Sequence, residues 1–153
     1  MTAPFRTTRR VEFCDTDMAG IVHFGNFFRY MESAEVEFLR SRGLSVRMDW
    51  NGDKIGFPRV SANCDYNRPA RFEDLIEIAV TIRSIGRKSG TYGFEFTREG
   101  GAIANGQISS VCCRIAPGQS LQSIEIPPEI RARLEDLAGD GGVASPAAPS
   151  AQQ

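Results

Sequence analysis

Residues 24–43 read FGNFFRYMESAEVEFLRSRG. The apolar side chains fall at Phe24, Phe27, Phe28, Met31, Ala34 and Phe38. That three-and-four spacing marks one face of a helix sustained for about four turns. Gly43 stands where helices are commonly closed by a left-handed residue. This is the only long helical pattern in the body of the chain, so every other buried element must be arranged around it.

Working outward, Phe5 to Cys14 alternates loosely, with Val11 and Phe13 on one face, and predicts a first strand. Residues 15–23 carry Asp, Thr and Gly and read as a loop. Beyond Gly43, residues 44–54, with Trp50, read as a second loop. Four further strands are predicted. Phe57 to Tyr66 stops near Pro69. Leu75 to Ile85 puts Ile76, Ile78, Val80 and Ile82 on one face. Gly90 to Arg98 aligns Tyr92, Phe94 and Phe96. The pair Gly100-Gly101 signals a hairpin into Ala102 to Ile115. Pro127-Pro128 opens a short helix to Leu137. The expected class is α+β, an antiparallel sheet of about five strands wrapped around one long helix. A single sheet leaves its second face open, which argues for a dimer or higher oligomer. Residues 139–153, GDGGVASPAAPSAQQ, hold one apolar side chain larger than alanine. They are expected to be a disordered tail on one domain spanning 1–138.

Composition narrows the function classes. Eighteen Lys and Arg against nineteen Asp and Glu lack the basic excess of a nucleic-acid binder. No apolar run reaches the roughly 18–20 residues that cross a bilayer. Met1 to Arg10 contains no apolar core of a secretory signal. Cys14, Cys64, Cys112 and Cys113 form no CxxC pair, and the chain has a single histidine, which does not make a zinc site. The cysteines are expected to be small buried hydrophobes in a reducing cytoplasm.

Chemistry concentrates in residues 15–24, DTDMAGIVHF. Two carboxylates stand two residues apart between a strand end and a helix start, with Gly20 permitting a tight turn. The amides of residues 24 to 26 are the unpaired donors of a helix N-terminus, suited to a negatively charged oxygen. A carboxylate beside an oxyanion-binding helix end is the minimum equipment for acyl transfer. From spacing alone, Asp and Thr before a helix read first as capping and turn residues.

The stretch Phe13 to Ala34 resembles the hotdog-fold acyl-CoA thioesterases of the 4-hydroxybenzoyl-CoA thioesterase family. The resemblance rests on Phe13, Asp15, Asp17, Gly20, Val22, His23, Phe24, Asn26, Phe27 and Tyr30 in order. It extends more weakly through Phe57 to Ser61, Phe72 to Asp74 and Arg87-Lys88-Ser89, covering residues 5 to about 135. It implies a helix wrapped by an antiparallel sheet, dimerised into a continuous sheet and often assembled as a homotetramer, with active sites between subunits. It implies Asp17 as nucleophile or general base and the Phe24 backbone amide as the carbonyl-polarising donor. It places Arg87, Lys88 and Ser89 on coenzyme A.

His23 is a candidate for catalysis, for lining the acyl pocket or for packing. Glu32 matches an acid that contacts the substrate in the hydroxybenzoyl branch, and it serves equally as a residue fixing the helix. Arg68 and Arg71 form a second basic cluster supported by charge alone. The implied reaction hydrolyses an aryl or short acyl-CoA thioester to the acid and free coenzyme A, with no metal or other cofactor. The alternatives are a hotdog dehydratase or hydratase, and a non-catalytic protein that binds acyl-CoA.

Overall fold

The computed structural model describes residues 3–135, and the periodic stretch forms helix α1 (Asn26–Ser41). The helix begins two residues after Phe24, with Gly25 as its N-cap. It closes as its sequence predicts. Gly43 takes φ +67°, its N–H donates to the Arg40 carbonyl at 3.0 Å, and the Leu44 N–H donates to the Leu39 carbonyl at 2.9 Å. These paired bonds satisfy carbonyls that the helix leaves unpaired.

In chain order the strands are β1 (Phe5–Arg10), β2 (Arg47–Trp50), β3 (Asp53–Gly56), β4 (Arg59–Tyr66), β5 (Leu75–Ile85), β6 (Ser89–Arg98), β7 (Gly101–Val111), β8 (Cys113–Arg114) and β9 (Gln122–Ser123). A second helix, α2 (Pro128–Glu135), follows. The main sheet is antiparallel, in the order β1-β5-β6-β7-β4. Its five strands confirm the expected class. Ile76, Ile78, Val80, Tyr92, Phe94 and Phe96 are buried on one face, and α1 supplies Phe27, Tyr30, Met31, Ala34, Phe38 and Leu39 to the same core. Gly106 marks where α1 and the sheet approach closely. A Cβ there would stand 2.5 Å from the Met31 sulfur and 2.8 Å from the Asn63 carbonyl oxygen.

Four expectations need correction. Strand β1 ends at Arg10, because Phe13–Asp15 winds into a 3₁₀ turn. The Glu12 N–H donates to the Asp15 carboxylate at 2.9 Å, and the Asp15 N–H donates to the Glu12 carbonyl at 3.0 Å. These local bonds replace a ladder and leave Phe13 exposed. Residues 44–54 contain the β2–β3 hairpin rather than a plain loop. Its two-residue turn, Asn51-Gly52, has φ of +49° and +83°, and Asn-Gly is a strong signal for that turn. The last strand breaks at Cys112, whose N–H donates to the Lys88 carbonyl at 2.7 Å, and β8 joins the second sheet β2-β3-β8-β9. That change of sheet covers both Cys112 and Cys113, and burial, with Cys113 adding to it, pushes the Cys112 thiol up to about 11. Cys14, by contrast, is exposed and Cys64 half-buried.

The sheet face opposite α1 presents exposed Glu95, Asn105 and Gln107, so it is polar rather than an apolar surface awaiting cover. The uncovered feature is the edge. Every residue of β4 is exposed except half-buried Cys64. The expected end of α2 at Leu137 and the tail at 139–153 lie outside the described residues.

One buried charge couples α1 to that edge. The Glu35 side chain is 0% exposed and accepts from Arg59 Nη2 at 3.0 Å and Nε at 3.2 Å, while its Oε1 has no partner among the described residues. Loss of water outweighs the Arg59 charge and holds the carboxyl above its ordinary 4.5. The folded chain therefore binds more protons than the unfolded chain between 4.5 and the raised value, and stability falls as pH rises through that window. We expect urea titrations at stepped pH to show this fall in the parent chain. Glu35→Gln should lack that component of the slope, and an unchanged slope would contradict the assignment.

Candidate active site

The loop between β1 and α1 is held by its own backbone. The Asp17 N–H donates to the Ile21 carbonyl at 2.9 Å, and the Gly20 N–H donates to the Asp17 carbonyl at 3.0 Å. Gly20 takes φ +77°, a conformation that side chains resist. The Val22 N–H donates to the Ala70 carbonyl at 2.8 Å and fastens this loop to the segment after β4.

The two carboxylates have separate surroundings. Asp15 accepts the Tyr30 hydroxyl at 2.8 Å, and its carbonyl accepts the Asn26 side-chain amide at 2.8 Å and the His23 N–H at 2.9 Å. It ties the loop to α1. Burial first, and the Asp15 carboxylate second, push the Tyr30 hydroxyl above its usual range, so it remains a donor. Asp17 accepts the Ala19 N–H at 2.8 Å through Oδ1, and among the described residues no cation pairs with it. It lines a cleft of about 450 Å³ with Ile21, Val22, Phe24, Phe27 and residues 66–70.

At the helix start nearly every amide is engaged. The Gly25 N–H donates to His23 Nδ1 at 3.0 Å, the Asn26 N–H to the His23 carbonyl at 2.9 Å, and the Phe27 N–H to the Phe24 carbonyl at 3.4 Å. Among the described residues, the Phe24 N–H makes no hydrogen bond. The structure thus brings a carboxylate bonded only within its own loop and a residue with an unpaired amide donor to one cleft. His23 is stacked on Phe24, with centroids 4.5 Å apart, and is not among the cleft's lining residues.

Of the remaining candidates one shares the cleft and the others lie elsewhere. Glu32 is exposed on α1 and does not line the cleft. Arg68 does line it, whereas Arg71 does not. Arg87, Lys88 and Ser89 sit at the β5–β6 turn, where Arg87 is paired with Glu125. Arg87 borders a second cleft, of about 560 Å³, with Arg131 of α2. The Asp17 loop is bonded to the start of β5, Val11 N–H donating to the Asp74 carbonyl at 2.9 Å. The basic turn is at the far end of that 11-residue strand, roughly 33 Å away at about 3.3 Å per residue. Within one chain the two halves of the expected site do not meet. Sequence reasoning missed Tyr66, Asn67 and Arg131 at these clefts. Their proximity is tertiary, and the signal available was the polar aromatic Tyr66 at a strand end.

Comparison with known proteins gives the family. Residues 19–104 match the thioesterase superfamily. A putative esterase of Aquifex aeolicus is 33% identical over 134 residues, covering 87% of this chain and 99% of that protein. A 1,4-dihydroxy-2-naphthoyl-CoA hydrolase of Nostoc punctiforme is 30% identical over 131 residues, covering 86% of each. The structure of 4-hydroxybenzoyl CoA thioesterase from Pseudomonas sp. strain CBS-3 superposes with a TM-score of 0.74 at 26% identity, covering 86% of this chain and 99% of that one. The chain belongs to the thioesterase superfamily, within the hotdog-fold acyl-CoA thioesterases that residues 13–34 resemble. It is a thioester hydrolase.

Proposed function

We propose that the chain hydrolyses an aryl or short acyl-CoA thioester to the free acid and coenzyme A, with Asp17 as nucleophile or general base and the Phe24 N–H polarising the carbonyl. The observation that carries this reading is the cleft shared by Asp17, whose carboxylate has no cation partner among the described residues, and Phe24, whose amide makes no hydrogen bond among them. Asp17 acts on the carbonyl carbon directly, or takes a proton from the water that does. The developing oxyanion is held by the amide beside the positive end of α1. Collapse breaks the C–S bond, and the thiolate takes the proton that Asp17 drew from water in the general-base route or a proton from solvent in the nucleophilic one; in the nucleophilic route water then hydrolyses the acyl–Asp17 anhydride, releasing the acid and restoring the carboxylate. The chemistry needs no metal or other cofactor. The lining by Phe24, Phe27 and Tyr66 favours a flat aromatic acyl group, in keeping with the aryl names of the two CoA-acting relatives. A thiol-release assay over aryl and alkyl CoA esters tests this, and release from none of them would overturn it.

The working unit in this reading is a homodimer, assembling further to a homotetramer. Three observations support it. The β4 edge is open, and the N-terminal end of β4 lies near the β5–β6 turn, since Arg59 pairs with Ser110 and Ser89 with Val111. Antiparallel joining of two β4 edges about a two-fold axis would carry the partner's basic turn toward this chain's Asp17 end. Of the eight large apolar side chains exposed among the described residues, six (Phe13, Met18, Phe24, Tyr66, Phe72 and Leu75) lie in the Asp17 loop or in residues 66–75. Such a concentration suits cover by another copy.

Arg87, Lys88 and Ser89 then meet the phosphates of coenzyme A as charged and neutral donors. Arg87→Ala with Lys88→Ala should raise KM, more at low than at high salt, with kcat nearly intact. Unchanged kinetics in stopped substrate titrations would remove this assignment. Among the described residues no helix is long and apolar enough to cross a membrane. We assign the chain to the cytoplasm, in keeping with its four unpaired cysteines.

A further inference from the structure

We propose that Tyr66 is a positioning residue for the Phe24 amide, holding the oxyanion donor in line with the Asp17 carboxylate; this rests on the thioesterase reading above. Tyr66 ends β4, and its hydroxyl donates to the Phe24 carbonyl at 2.8 Å. Its ring meets Phe27 edge to face, with centroids 5.3 Å apart, and Phe27 is itself fixed against Phe96 at 5.3 Å. Both Tyr66 and Phe24 line the cleft that holds Asp17.

The bonding around Phe24 explains why a tether is needed there. On the upstream side, the His23 N–H is taken by the Asp15 carbonyl at 2.9 Å, and the His23 carbonyl accepts the Asn26 N–H at 2.9 Å. On the downstream side, the Phe24 carbonyl receives only a long 3.4 Å bond from the Phe27 N–H besides the Tyr66 hydroxyl. Phe24 precedes the helix, so no regular helical ladder sets its ψ angle. Without the Tyr66 hydroxyl, the peptide after Phe24 keeps the Gly25 N–H bond to His23 Nδ1 at 3.0 Å and the long Phe27 bond but loses its one anchor outside this turn, so the residue that carries the Phe24 N–H is held less firmly against the cleft. A donor aimed at an oxyanion loses its advantage when its direction is unfixed, because reorientation is then required during the reaction. Because β4 is an open edge of the sheet, the tether also connects that edge to the reacting end of α1.

The test uses the full chain and its Tyr66→Phe and Tyr66→Leu variants, with benzoyl-CoA and butyryl-CoA as substrates. Tyr66→Phe keeps the ring on Phe27 and removes only the hydroxyl. It is expected to lower kcat about tenfold on both substrates with KM changed less than about twofold, less than the roughly 10²–10³-fold cost of deleting an oxyanion donor outright. Thermal midpoint and oligomeric state should match the parent. The Gly25 amide resonance, whose nitrogen shares the peptide of the Phe24 carbonyl, should shift. Tyr66→Leu should lose kcat similarly and, in addition, lose preference for the aryl ester. A parent-like kcat in Tyr66→Phe, or a change confined to KM, overturns the role while leaving the thioesterase reading intact. A parent chain inert toward every CoA ester overturns that reading and this role together.

Discussion

Asp17→Asn is expected to lower kcat by roughly 10²–10⁴-fold, the range for losing a positioned base or nucleophile, with the fold unchanged. The amide oxygen of Asn can still accept the Ala19 N–H that Asp17 accepts at 2.8 Å, so the loop keeps its internal bond. Stability should therefore stay within about 0.5 kcal/mol, as for surface substitutions that break nothing. The two roles of this residue separate cleanly in that variant. If Asp17 serves only its loop, Asn preserves both stability and turnover. If it serves the reaction, Asn preserves stability and loses turnover, because the amide neither attacks a carbonyl nor takes a proton from water. Steady-state thiol release alongside thermal unfolding reads both quantities. A near-parental kcat would remove Asp17 from the chemistry. Single turnover in ¹⁸O water distinguishes the two routes, since label enters the Asp17 carboxylate only when it is the nucleophile.

Breaking the β4 edge is the second large expected effect. The Asn67 N–H donates to the Ile103 carbonyl at 2.8 Å, toward β7. By the alternation of an antiparallel ladder, the N–H groups of odd-numbered residues in the adjoining part of β4 face β7, and those of Ala62 and Cys64 face the open edge. Ala62→Pro thus removes an edge-facing donor and spares the bonds to β7, where proline on an edge strand is tolerated. Sedimentation should show a monomer, and turnover should fall by roughly 10²-fold, the scale of misplacing substrate in an incomplete site. A monomer with undiminished turnover would show that one chain suffices. Mixing gives a second reading of the same question. A chain carrying Asp17→Asn and a chain carrying Arg87→Ala with Lys88→Ala are each impaired at low substrate. Their mixed dimer regains one intact site if Asp17 of one chain works with the basic turn of the other. Activity above the average of the two parents supports the shared site, and simple averaging contradicts it.

The parts of the fold that were legible in sequence are those with a sustained period. Helix α1 repeats its apolar face through Phe38 and announces its end at Gly43; β5 and β6 alternate through Ile76–Ile82 and Tyr92–Phe96. The β2–β3 hairpin was not legible because each strand has four residues and one or two buried-face side chains, too few to establish a period. Asn51-Gly52 carried the information instead, as turn chemistry. Phe13 was misplaced because the bonds between Glu12 and Asp15 depend on a local capping geometry, not on a pattern of hydrophobicity.

For the site, the ordered residues from Asp15 to Phe24 were readable as a motif, yet the division of labour between Asp15 and Tyr30 on one side and Asp17 on the other depends on where α1 sits. Tyr66 was out of reach because its contact with Phe24 spans 42 residues of chain. The length of β5 between the Asp17 loop and Arg87 is likewise a property of the topology, and in the proposed reading it makes the site one that two copies share.

The most direct measurement is a crystal structure of the full chain with a non-hydrolysable ketone analogue of an aryl-CoA, in which CH₂ replaces sulfur. The ketone oxygen should lie about 2.7–3.1 Å from the Phe24 nitrogen. An Asp17 carboxylate oxygen should lie about 3–3.5 Å from the ketone carbon, or be bridged to it by one water. A ketone bound with its oxygen away from the Phe24 N–H, or with Asp17 beyond the reach of one water, would contradict the account.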